Sequence, residues 1–202
     1  FRSSGVETRG NSAVDVALSA RLFAPNDIIP IVEFFPGTSA LTTGASALTG
    51  LGPWSAGLLV VVITHVLGLY AVYLLGEVLL SSDRAGAIAA LVFGINPSAI
   101  YFDTQYAYES VAIAFFLWTL ALTMLAARAR TARPRAAFLG AAVATAAACV
   151  VTHHLSTIFL IVALFVIAAA GTVHRLRRRW SSSRPRTPTS RVWVWWAALT
   201  AT

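Results

Sequence analysis

"WSAGLLVVVITHVLGLYAVYLLGEVLL", residues 54–80, runs for 27 residues with a single carboxylate, Glu77, and a single imidazole, His65. About 20 residues of helix cross the ~30 Å hydrocarbon core of a bilayer. Lipid offers no partner to a backbone N–H or C=O, so a spanning segment is either a helix or a strand of a closed barrel. The run shows no period-two alternation, so it is read as a helix. Four further runs carry the same signature: Ala85–Tyr101, Tyr108–Ala126, Ala136–Thr152 and Leu155–Val173. The expected fold is therefore all-α: a polytopic α-helical membrane protein with about five transmembrane helices over 54–173. Residues 1–53 are expected to form a loop with juxtamembrane helices, in "NSAVDVALSARLF" and in "TSALTTGASALTGLGP". A basic loop is expected at 174–191. Residues 192–202 read as the start of a further helix, so the chain reads as a piece of a longer membrane protein.

Composition agrees. The chain is 57% hydrophobic and 11% charged, whereas a soluble globular protein carries about 25% charged residues. All fifteen basic residues are arginine, and their placement is lopsided. Arg84, the four arginines of "ARARTARPR" (127–135) and the seven of "HRLRRRWSSSRPRTPTSR" (174–191) fall on one side of a five-span arrangement. Only Arg2, Arg9 and Arg21 fall on the other. The excess marks the twelve-arginine side as cytoplasmic. This gives the high pI a topological meaning, and no nucleic-acid partner is expected. The expected location is the cell membrane, multi-pass, with membrane lipids as partners and residues 1–53 extracytoplasmic. The one cysteine, Cys149, rules out a disulfide framework.

With that orientation, six of the eight acids and the pair His153–His154 share the extracytoplasmic side. Asp103 stands where it would cap the third span, since an aspartate accepts free amide protons at a helix start. Glu109 lies beyond it, inside the helix and four positions after Gln105, so the two share a helix face. A carboxylate there must look into the bundle or a wet cavity rather than into lipid. His153 and His154 sit at a short hairpin tip, where imidazole suits either a proton carrier or a ligand for a divalent cation. A hydrogen-bonded structural pair is the plainer alternative, and both readings stand at this point. Phosphate-loop, dinucleotide and nucleophile-elbow motifs are absent from the sequence.

The order of parts resembles the GT-C superfamily of integral-membrane glycosyltransferases: an external loop, "FFPG", then "NPSAIYFDTQYAYES", then "VVTHHLS". It looks most like an actinobacterial branch related to protein mannosyltransferases and aminoarabinose transferases, over roughly residues 20 to 173. The resemblance implies transfer of a sugar from a polyprenyl-phosphate donor outside the membrane. It implies Glu109 and the first-loop acids Glu7 and Asp15 as catalytic carboxylates, with Gln105, Arg21 and Asp103 near the substrate. It further implies a possible divalent cation held at His153 and His154. The rival readings are a transporter, in which His65 and Glu77 would line a path, and a non-catalytic membrane scaffold.

Overall fold

A computed structural model describes residues 34–103 and 107–183. Among the described residues the chain is helical with no strand, and the protein is an all-α polytopic membrane protein. Residues 1–163 form one compact unit and residues 164–202 a second. The helices, numbered over the described residues, are α1 (Gly37–Thr49), α2 (Pro53–Leu80), α3 (Asp83–Gly94), α4 (Pro97–Asp103), α5 (Tyr108–Arg128), α6 (Ala132–Thr152) and α7 (His154–Ser183).

Local chemistry sets each boundary. α1 covers the small-residue run in which a helix is expected. It stops at Gly50, whose φ of 72° lets its N–H reach the Ser46 carbonyl at 2.9 Å, the left-handed cap that glycine adopts without a Cβ penalty. Pro53 opens α2 at a position where its missing N–H costs nothing. The 28 residues of α2 extend about 42 Å, more than enough to cross. Ser82 caps α3 by accepting the Ala85 N–H at 3.3 Å, and Asp83 sits in that first turn against the positive helix end.

Among the described residues, four helices are long and apolar enough to cross a membrane: Pro53–Leu80, Tyr108–Arg128, Ala132–Thr152 and His154–Arg177. The fifth expected span, Ala85–Tyr101, is instead two pieces. The 12 residues of α3 reach only about 18 Å. Pro97 cannot continue the hydrogen-bond ladder of α3, and Asn96 Oδ1 accepts the Ser98 N–H at 2.9 Å to start α4. A second correction concerns α7, which runs on to Ser183. Ten residues assigned to the basic loop are therefore helical.

In the first unit α2 packs along α3 and α5, α5 packs along α6, and α1 lies against α2, α6 and α5. Small residues fill these contacts: Ala56, Ala71, Ala112, Ala121, Ala126 and Ala142 are all buried. Leu58, Val62, Ile63, Val66, Leu139 and Val143 face outward. A soluble core would invert that pattern; here the large apolar side chains meet lipid and the small ones let backbones approach. Thr119 Oγ1 and Thr145 Oγ1 hydrogen-bond across α5 and α6 at 2.9 Å. At the crossing of α2 and α3, a Cβ on Gly86 would stand 2.6 Å from the Tyr73 carbonyl oxygen, and one on Gly76 would stand 2.9 Å from Gly86 Cα.

Gly86→Val is therefore expected to lower the thermal midpoint in detergent, at a cost of about 1–3 kcal/mol for overpacking against backbone. Gly140→Val, where a Cβ meets nothing within 4 Å, is the control. Equal midpoints for the two variants would contradict the close approach of α2 and α3.

Candidate functional site

Three chain segments meet at the end of the bundle formed by the start of α5 and the end of α6: residues 35–37, residues 107–109 and residues 152–156. The link between α6 and α7 is one residue long. His153 is extended (φ −157°, ψ 124°) and serves both helices at once. Its N–H donates to the Cys149 carbonyl at 3.0 Å, closing α6, and its carbonyl accepts from the Thr157 N–H at 3.2 Å, opening α7. Thr157 Oγ1 donates to the same carbonyl at 2.9 Å.

The His153 ring is held as tightly as its backbone. Nδ1 lies 2.9 Å from Ser156 Oγ and accepts the Ser156 N–H at 3.4 Å. An Nδ1 that accepts these protons leaves the ring proton on Nε2. Nε2 stands 3.4 Å from Glu109 Oε1. The His153 side chain is 12% exposed, whereas that of Glu109 is 44% exposed. The carboxylate thus touches the imidazole and still reaches solvent. Glu109 occupies the first turn of α5, whose N-cap residue is Ala107, and the helix end favours negative charge.

The sequence put Glu109 and the histidine tip on one side of the bundle, and the structure brings Glu109 and His153 together. His154 takes the other direction. Its ring centroid lies 5.3 Å from that of Phe35 and 5.0 Å from that of His153. Phe35 belongs to "FFPG", which seats on the hairpin; Gly37 next to it approaches Thr152 so closely that a Cβ would stand 2.9 Å from Thr152 Cα. Sequence reasoning quoted that motif without giving it a task. It also missed Ser156, whose only signal is a hydroxyl three residues after a potential helix cap.

One expectation falls. The residue that caps α5 is Ala107, with no side-chain cap hydrogen bond; Asp103 is the last residue of α4, five positions before α5 begins. Gln105, Glu7, Asp15 and Arg21 lie outside the described residues. No group of three or more His, Cys, Asp or Glu that could hold a metal ion occurs among the described residues. His65 lies mid-way along α2, away from this end, and Glu77 near its far end.

Comparison with known protein families, characterised proteins and solved structures finds no match.

Burial pushes the His153 pKa below its ordinary value of 6.5; Glu109 opposes this by favouring the charged ring, and His154 adds to the lowering. The folded chain therefore takes up this proton at lower pH than the unfolded chain does. The resulting stability is present above about pH 6.5 and is lost as pH falls through the folded value. The thermal midpoint in detergent should drop between pH 7 and pH 5, and His153→Gln should flatten that drop. The same slope in the variant and the parent would show that His153 carries none of it.

Proposed function

We propose that this protein is a membrane glycosyltransferase, or a part of one, that transfers a sugar from a polyprenyl-phosphate donor on the extracytoplasmic face. The observation that carries the reading is the Glu109 carboxylate, half in solvent, with its Oε1 3.4 Å from His153 Nε2 at one end of an otherwise apolar bundle. A carboxylate and an imidazole placed at the membrane boundary suit a reaction between a lipid-linked donor and a water-side acceptor. The resemblance of the motif order to the GT-C superfamily supports the same class.

In the proposed reaction Glu109 accepts the proton of an acceptor hydroxyl as general base. The acceptor oxygen forms a bond to the anomeric carbon, and the bond from that carbon to the phosphate oxygen breaks. The electron pair leaves with the polyprenyl phosphate. His153, fixed through Nδ1 by Ser156, keeps its Nε2 toward Glu109 and holds that carboxylate in place. The positive end of α5 favours the negative charge of a phosphate.

Glu109 and His153 would take two positions around a divalent cation in the other tautomer, with Nε2 unprotonated and Nδ1–H donating to Ser156 Oγ. Ligands about 2.0–2.1 Å from a tetrahedral ion stand roughly 3.4 Å apart, which is the separation found here. A bound cation would supply charge against the departing phosphate. His154, packed on Phe35, is assigned to holding the loop rather than to the ion.

The orientation rests on the arginines. Arg84, Arg128, Arg133 and Arg135 lie toward the end of α3, α5 and α6 opposite to Glu109 and His153, and an arginine excess marks the cytoplasmic side. A cysteine placed at exposed Ala47 should react with an impermeant thiol reagent in intact cells, and one at Ser182 should not. The reverse result would put the site on the wrong side of the membrane for this reaction.

Glu109→Gln keeps the shape of the side chain and removes its charge. It should lower transfer from a polyprenyl-phosphate sugar by about 10²-fold or more, measured in vesicles with monodisperse elution as the folding check. Full activity in this variant would remove Glu109 from the chemistry.

A further inference from the structure

The C-terminal part of α7 carries a feature that the proposed transfer reaction does not use. α7 is 30 residues long, about 45 Å of continuous helix. From His154, about 20 residues cross the ~30 Å hydrocarbon, so the helix leaves it near Val173. The next five positions after His174 read Arg175, Leu176, Arg177, Arg178, Arg179. At 1.5 Å per residue they lie within roughly 10 Å of that exit, the depth of lipid phosphates in a headgroup layer about 5–8 Å thick.

Two further observations bear on what binds there. The chain contains no aspartate or glutamate after Glu109. The second unit therefore has no carboxylate of its own to neutralise these arginines. The helical register also divides the segment. Positions 175, 178 and 179 fall on one face, while Val173, Leu176 and Trp180, spaced three and four apart, fall on another. The last three are 47%, 50% and 77% exposed. An apolar stripe beside a run of arginines, continuous with a spanning helix, matches the boundary between acyl chains and phosphates.

We infer that residues 173–180 form a binding site for anionic phospholipid, with Arg175, Arg178 and Arg179 taking headgroup phosphates and Val173, Leu176 and Trp180 resting on the acyl boundary. Guanidinium binds phosphate through paired N–H donors, which an ammonium cannot copy. The occupant is a lipid of the surrounding bilayer and not a soluble phosphate. This site is independent of the transfer reaction proposed above.

The test uses the full chain in phosphatidylcholine vesicles containing spin-labelled phosphatidylglycerol or spin-labelled phosphatidylcholine. The readout is the relative association of the two labelled lipids with the protein. The parent chain should prefer phosphatidylglycerol by severalfold, since each arginine at the surface is worth about fivefold at most, and 1 M NaCl should weaken the preference. Arg175→Gln/Arg178→Gln/Arg179→Gln should bring the ratio close to one. The corresponding triple lysine variant should keep part of the preference. Arg130→Gln/Arg133→Gln/Arg135→Gln, in the other arginine-rich segment, should leave most of it, and helical circular dichroism checks folding of every variant. A parent chain with no preference, or a triple glutamine variant that keeps all of it, would overturn the site. Displacement by millimolar glycerol phosphate would replace the lipid with a soluble ligand and overturn it equally.

Discussion

Helices surrounded by hydrocarbon gain little by pressing apolar side chains together, because lipid tails are just as apolar. Close backbone approach has to hold this bundle instead. The crossing of Gly76 and Gly86, the buried alanines of α5 and the Thr119–Thr145 hydrogen bond are the local forms of that requirement. The Cys149 thiol, buried against the Ala112 carbonyl at 3.8 Å, joins α6 to α5 by the same means. At the far end Arg128 donates to Ser81 Oγ at 3.1 Å and ties α5 to the end of α2. Because α5 touches α1, α2 and α6, the position of Glu109 at its first turn follows from this packing.

The candidate site inherits its geometry from helix ends rather than from a loop. His153 satisfies the last turn of α6 and the first turn of α7 with its own backbone, and its ring accepts from Ser156. These are structural bonds, and they leave one nitrogen free to face Glu109. The same set of bonds that a hairpin needs thus orients a reactive group. The "FFPG" corner adds a second constraint, since Phe35 rests on the His154 ring and Gly37 fits only because it lacks a Cβ.

Hydropathy made four spans legible, with boundaries near Pro53, Leu80, Tyr108 and Thr152, because a 20-residue apolar run has few other ways to fold. It misled at 85–101. Averaged hydropathy passes over Asn96–Pro97, whereas the backbone cannot, since the proline breaks one ladder and the asparagine begins another. The end of α7 was misplaced for the related reason that charge marks the membrane boundary and says little about where a helix stops. Glu109 and His153 could be brought together on paper because each lay at the same end of a span and the hairpin was short. Asp103 could not be placed: a cap depends on which residue starts the helix, and that lay four positions later, at Ala107. Ser156 and Phe35 act through contacts that have no signature in spacing or composition.

The one-residue link at His153 also bears on how this stretch of chain can vary in length. A residue added or lost there would turn everything after it by about 100° around the α7 axis. Leu160, buried in the first unit, would swing outward, and Ser156 would leave the ring it holds. Loops ordinarily absorb such changes at small cost; this hairpin has no slack with which to do so. A change of length is better absorbed at other joints, such as the break at Asn96 or the turn after Arg128.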